Sequence, residues 1–294
     1  MSKSNRPEEP LRESAPLAHA FAADGCGVDP LSGSSCIWYH GTWQYLRILG
    51  IGSAPGAQGR QLANTLRQLA RTGEFPHILL SGSADYSLLA HILWAYDLEN
   101  AEAEPTVVDL CKTPLYLCEW YGKRYSKQVN TVASNILDFA STEPFDLVCT
   151  HAFMGYFTPE LRKNLLDRWY SLLRPGGRVI TIQRIRPDTC HDIVRFTTQE
   201  KAEFRHKVES EALANQDSLD IDASKLVAAA EIYAEQFFTY PIKSREELVS
   251  LFTTAGFEFR QLEFGPAETQ HQTTISGPTI PGMAEYAFVE AIRT

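Results

Sequence analysis

His77-Ile78-Leu79-Leu80 is a short apolar run that passes at once into Ser81-Gly82-Ser83-Ala84-Asp85-Tyr86. The run predicts a buried strand, and the small residues after it predict a tight turn into a helix over Tyr86 to Tyr96. Downstream the pattern repeats. Pro105-Thr106-Val107-Val108-Asp109 reads as a second strand, followed by a helix over Leu115 to Tyr125. Val129-Asn130-Thr131-Val132 is a third strand, and Phe145-Asp146-Leu147-Val148-Cys149-Thr150 a fourth, strongly apolar one. Pro159 to Leu173 is a helix with Thr158 as N-cap and Pro159 in its first turn. Arg174-Pro175-Gly176-Gly177 stops it, and Arg178-Val179-Ile180-Thr181-Ile182 is a fifth strand. Short β-rich runs alternating with helices predict an α/β fold whose parallel sheet is covered on both faces.

Outward from this block the alternation stops. After Arg186, Thr197 to Ala214 and Ala223 to Phe238 read as helices, a helical insertion at about 187–240. A helix near Arg245 to Ala255 then leads to two strands, Phe257 to Phe264 and Glu285 to Ile292, predicted to pair antiparallel at the sheet edge. Upstream, Trp43, Leu46, Arg47 and Gly50 follow helical spacing. A Gly/Pro-rich break at Ser53-Ala54-Pro55-Gly56 ends that helix, and Leu62, Leu66, Leu69 and Ala70 suggest a second. Residues 1–35 are rich in Pro, Gly, Ser and Ala and are expected to be a flexible tail, of which residues 1–30 are expected to be dispensable for folding. The expected organisation is thus a tail over 1–35, a helical segment over 36–75, and an α/β domain over 76–294.

Of the 294 residues, 44% are hydrophobic and 21% charged, an ordinary globular balance. A formal net charge of −9 argues against a general grip on nucleic acid and for a small-molecule substrate. No apolar run approaches the ~18 residues that span a bilayer. The polar start MSKSNRPEEPLRESAP lacks the apolar core of a secretory signal, so a cytoplasmic protein with no membrane partner is expected. Six scattered cysteines, none in a CxxC, read as buried free thiols rather than as disulfides or a metal site.

The turn after the first strand would let backbone approach a ligand at the carboxyl edge of the sheet. It lacks G-x-G-x-x-G, which counts against NAD or FAD, and no Walker A signature is present. Asp109, ending the second strand, is placed to accept hydrogen bonds from both hydroxyls of a ribose. In Ser134-Asn135-Ile136-Leu137-Asp138 the carboxylate can accept from an adenine amino group while Ile136 packs on the ring.

The order and spacing of these pieces, with Leu172-Leu173-Arg174-Pro175-Gly176-Gly177 before the fifth strand, resemble the motif series of class I S-adenosylmethionine (SAM)-dependent methyltransferases. The resemblance runs from about Ile78 to Ile182. It implies a Rossmann-like fold with a seven-stranded sheet whose last strand is antiparallel, a helical N-terminal lid, and SAM as cofactor. The residues it implies for cofactor binding are Ser81, Gly82, Ser83, Asp85, Asp109, Leu110, Asn135, Ile136, Asp138, Thr150 and His151. Family members commonly carry an acid two residues before the first motif glycine; here Leu80 stands there, and Asp85 is its candidate substitute. Trp38-Tyr39-His40-Gly41-Thr42-Trp43-Gln44-Tyr45 reads either as a lid over the methionine and substrate or as an amphipathic helix packed on the core. Substrate contacts are assigned to Trp38, Tyr39, His40, Trp43, Phe153 and Arg184, with Arg186 as a further carboxylate partner. His151, at the end of the fourth strand, is the candidate general base, and Tyr39 would lay an aromatic face on the sulfonium. His40, His151 and His191 are too scattered to favour a metal.

The leading expectation is methyl transfer to a small molecule, such as one in natural-product biosynthesis. The alternatives are cyclisation of SAM to azetidine-2-carboxylate and methylthioadenosine, as azetidine-2-carboxylate synthases do on the same fold, and a non-catalytic SAM-binding protein.

Overall fold

Seven strands form one sheet: β1 (His77–Ser81), β2 (Glu104–Asp109), β3 (Asn130–Ala133), β4 (Phe145–His151), β5 (Leu173–Ile185), β6 (Phe257–Pro266) and β7 (Glu285–Arg293). The computed structural model describes residues 6–28, 33, 35–52, 59–187, 191–266 and 285–294. The break expected at Ser53-Ala54-Pro55-Gly56 lies outside them. Strand order is β3-β2-β1-β4-β5-β7-β6. The β1–β2, β1–β4, β2–β3 and β4–β5 pairs are parallel, whereas β7 runs antiparallel to both β5 and β6. The seven strands and the antiparallel last one agree with the sequence reading.

Successive side chains on a strand point to opposite faces. Ile78 and Leu80 therefore enter one core with α3 (Gly59–Thr72), α4 (Ser87–Glu99) and α5 (Lys112–Arg124). Leu79 enters the other, with α6 (Pro159–Leu172) and α9 (Arg245–Thr254). Burial on both faces explains why β1 and β4 have so few polar positions.

A third core lies above the carboxyl edge. It joins α1 (Leu11–Gly25) and α2 (Ile37–Ile48) to α7 (Thr198–Ala214) and α8 (Ala223–Gln236) through Ala15, Tyr45, Leu46, Phe204, Leu226 and Tyr233. Here the structure corrects the expectation of a flexible tail over 1–35, because residues 11–25 are a helix. Ala15, Ala18 and Ala22 repeat at helical spacing and are fully buried. Their small size permits close helix approach: a Cβ at Gly41 of α2 would sit 3.5 Å from that of Ala22. Phe21 stacks on Tyr116 of α5 at 4.4 Å, and Tyr121 donates to the Glu8 carbonyl at 3.0 Å. The 36–75 segment is also divided. Only α2 belongs to the cover, while Leu62, Leu66 and Leu69 of α3 pack into the sheet core.

Candidate active site

The cover and the carboxyl edge of β1, β2, β4 and β5 enclose a cavity of about 400 Å³. That is a size usual for small-ligand sites. Its floor is built by two turns. Gly82 follows β1 with φ +74, and a Cβ there would lie 2.2 Å from the Phe153 ring, so only glycine fits. The Ser83 amide donates to Asp109 Oδ2 at 2.8 Å, and the Cys111 amide to Oδ1 at 2.7 Å. The carboxylate is thereby fixed at the cavity wall, with lone pairs to spare for a ligand. Burial, only partly offset by His40 and the two amides, pushes its pKa up to about 6.

β4 supplies the second turn. His151 lines the cavity, and its Nε2 is buried without a hydrogen-bond partner among the described residues. Burial, with His91 and Arg47 adding positive charge nearby, pulls its pKa down to about 4, so the imidazole is neutral at pH 7. Ala152 follows with φ 51, an uncommon conformation for a residue with a Cβ, held by its amide donating to the Ile182 carbonyl at 2.7 Å. The turn directs Phe153 over Gly82.

The roof is aromatic. Tyr39 stacks on Trp43 (5.4 Å) and on Tyr233 of α8 (5.9 Å), and meets Tyr156 edge-on at 6.4 Å. All four rings line the cavity. Tyr39 is a neutral phenol, since burial raises its pKa well above the usual value. Trp43 is only 7% exposed, whereas Trp38 and Tyr39 are half-buried. The Trp38–Tyr45 segment packs into the cover, as the amphipathic-helix reading expects, and the same helix presents rings to the cavity. Tyr156, in the short 3-10 turn Met154–Tyr156, and Tyr233 were not singled out from the sequence. Their segments carry no ligand motif and meet only through the fold.

Arg184 and Arg186 line the wall near Tyr286. Burial and the like charge of Arg184 bring the pKa of Arg186 down to about 9. The 239–242 stretch beside them is held by Arg162, fully buried, whose guanidinium donates to the carbonyls of Tyr240 (2.7 Å) and Pro241 (3.0 Å) and pairs with Glu247 at 2.6 Å.

Gly82, Ser83, Asp85, Asp109, Leu110, Asn135, Ile136, His151, Trp38, Tyr39, His40, Trp43, Phe153 and Arg184 are brought together on this cavity. Three other candidates do not line it. Ser81 is fully buried, and its hydroxyl accepts from the Trp169 indole at 2.9 Å. Thr150 is buried at 2% exposure away from the cavity wall. Asp138 shares a turn with Ile136, but its side chain is exposed to solvent. Asp85 is already partnered. Its Oδ2 accepts from Arg47 Nη1 at 2.7 Å and its Oδ1 from the Ser87 amide at 2.8 Å, so it is engaged within the protein. His40 faces Cys26, with Nδ1 3.5 Å from Sγ, rather than standing alone as a substrate contact.

Among solved structures, the chain is similar to an S-adenosylmethionine-dependent methyltransferase from Clostridium acetobutylicum. Identity is 8%, with a TM-score of 0.51 over 85% of this chain and 96% of that one. The fold is that of the SAM-dependent methyltransferases. Magnesium protoporphyrin IX methyltransferase from Synechocystis, solved with bound S-adenosylhomocysteine, matches at 10% identity and TM-score 0.48, over 85% of this chain and 92% of that one. The N-methyltransferase NodS from Bradyrhizobium japonicum matches at 13% and 0.47, over 86% and 99%. No protein-family model matches the sequence, and no curated protein matches it. Among the described residues, no helix is long and apolar enough to cross a membrane.

Proposed function

We propose that the cavity binds SAM and that the chain transfers its methyl group to a small molecule carrying a carboxylate. The observation that carries this is one cavity with a fixed carboxylate, Asp109, on its floor and four aromatic rings in its roof. The bound sulfonium supplies an already activated methyl group, so the protein's task is alignment. Asp109 accepts from the ribose hydroxyls. Ile136 and Leu110 flank an adenine ring. Tyr39, Trp43, Tyr156 and Tyr233 stabilise positive charge at sulfur by cation–π attraction and exclude water. Arg184 and Arg186 receive the acceptor's carboxylate, which relieves the like charge between them. His151 is the group placed to take a proton if the attacking atom must lose one.

A second reading, SAM cyclisation, is favoured by the state of Asp85. Among the described residues, Asp85 and Asp109 are the only acids on the cavity wall, and Asp85 is held by Arg47. An amine on the methionine side therefore meets no unpaired carboxylate to keep it protonated. It can pass its proton to His151, form a bond to Cγ, and break the Cγ–S bond to release methylthioadenosine.

Incubation of the purified chain with SAM, with and without carboxylate acceptors, separates the readings by mass spectrometry. S-adenosylhomocysteine formed only with an acceptor supports transfer. Methylthioadenosine formed without one supports cyclisation. Binding with neither product leaves a non-catalytic SAM-binding protein, and absence of SAM binding by calorimetry overturns all three.

A further inference from the structure

Cys26, Cys36, His40 and Cys111 converge beside the cavity, and their ligand atoms all lie within 4.8 Å of one another. Cys26 caps the end of α1, Cys36 and His40 stand one turn apart at the start of α2, and Cys111 precedes α5. Val28, two residues after Cys26, and Ser35, next to Cys36, form an antiparallel bridge. Cys26 Sγ lies 3.4 Å from Cys111 Sγ and 3.5 Å from His40 Nδ1. A tetrahedral zinc ion has Zn–S bonds of about 2.3 Å and Zn–N bonds of about 2.0–2.1 Å, which set the edges of its tetrahedron at about 3.8 Å for S···S and about 3.5 Å for S···N. These two spacings match those edges to within about 0.4 Å, and no pair of ligand atoms is farther apart than 4.8 Å.

We infer that Cys26, Cys36, His40 and Cys111 bind one structural zinc ion. Three thiolates and one imidazole are a donor set that zinc prefers, and four protein ligands close its coordination shell. The ion is therefore a fastener, not a Lewis acid for the reaction. Binding displaces the thiol protons of the three cysteines, while His40 ligates as neutral imidazole through Nδ1. Thr113 Oγ1, 3.1 Å from Cys26 Sγ, is positioned to donate to that thiolate. A span of at most 4.8 Å is that of ligands around a single ion. A disulfide needs sulfurs about 2.05 Å apart, and the three thiols are free. The joined segments are the α1–α2 pair and the end of β2, where the Cys111 amide also holds Asp109. Zinc thus ties the cover to the turn that carries the floor carboxylate.

The test uses the full chain purified from zinc-supplemented cells without chelator, with metal measured by mass spectrometry. About one zinc per chain is expected, and Cys26→Ser and Cys111→Ser should each reduce it roughly tenfold or more. Cys149→Ala, in the sheet core, should keep it. Because a variant can fail to fold, the wild-type chain is also stripped and refilled with cobalt(II). Strong visible bands of tetrahedral cobalt with thiolate-to-cobalt charge transfer are expected, and His40→Cys should retain the metal with stronger charge transfer. Three results overturn the inference: a zinc-free chain with every thiol titrating free and no cobalt bands; a disulfide among Cys26, Cys36 and Cys111, seen as an intact mass lower by two hydrogens; or copper in place of zinc. None of these readouts requires SAM or turnover, so the outcome is independent of the function proposed above.

Discussion

Arg47 of α2 donates to Asp85 of the β1–α4 turn at 2.7 Å, and the two side chains are 5% and 2% exposed. The other arm of the guanidinium reaches Glu9 at 2.8 Å. One buried cation therefore joins the chain start, the cover and the cavity floor. Removing one member of a buried ion pair leaves the other charge uncompensated, at a cost of about 3–5 kcal/mol. Arg47→Ala should lose that much in urea unfolding. Hydrogen exchange across 9–25 should speed up in the same variant. A loss below about 1 kcal/mol, the range of exposed pairs, would show that the pair is solvated.

Asp109 sets a pH dependence with two opposite signs. In the metal-free chain its carboxyl titrates at about 6, above the ordinary 3.8. For stability, the folded chain holds this proton more tightly than the unfolded one. The contribution is complete below about pH 4 and disappears as pH rises through about 6. For SAM the ionised form is needed, so affinity should climb between about pH 5 and 7 and then level off. Asp109→Asn should flatten that climb and cost roughly 1.5–3 kcal/mol of binding at neutral pH. Calorimetry across the range checks both. An unchanged affinity in a folded variant would remove Asp109 from the site.

The α1 helix should not be dispensable. A chain beginning at Val28 loses the buried faces of Ala15, Ala18 and Ala22, the Glu9–Arg47 pair and one thiol of the cysteine cluster. Its unfolding free energy should fall by at least ~3 kcal/mol. A melting temperature within a degree or two of the full chain would contradict the packing of α1.

Within α2, stability and turnover should separate by residue. Trp43→Ala empties a buried site and should cost about 3–5 kcal/mol. Tyr39→Ala should lower turnover more than stability, since its ring, half-buried, would lose about 0.5–2 kcal/mol of cation–π attraction to sulfur. Amides over 37–46 should already exchange slowly without ligand, because Tyr45 and Leu46 belong to the third core. Fast exchange that slows only on adding SAM would make the helix a mobile lid.

The sheet was legible because β1, β4 and β5 are buried on both faces, which forces contiguous apolar residues that a reader can see. The helix α1 was not, because its buried face is alanine. Three methyl groups give little contrast against a Pro- and Ser-rich background, although the spacing of Ala15, Ala18 and Ala22 was there to be read. On the floor, Asp109 was recoverable from its place at a strand end. Asp138 shares the turn of Ile136 but is exposed and off the cavity wall; a motif position does not state which way a turn presents its side chain. The cysteine cluster was hidden for a topological reason. Cys26 and Cys111 are 85 positions apart, and only the Cys36–His40 spacing on one helix hinted at a shared face.

The cover draws on chain positions that are far apart in the order of synthesis. The α1 and α2 helices leave the ribosome before any strand of the sheet, yet Tyr39 stacks on Tyr233, and Arg12 donates to the Ser218 carbonyl, 206 positions away. Closing such distant contacts costs entropy that nothing local repays, so they form late. The face of the first helices that meets α7 and α8 stays open until those segments have been translated, although α1 can already dock on α5 through Phe21 and Tyr116. During that interval the chain exposes apolar surface, the period in which a holding chaperone has most to protect.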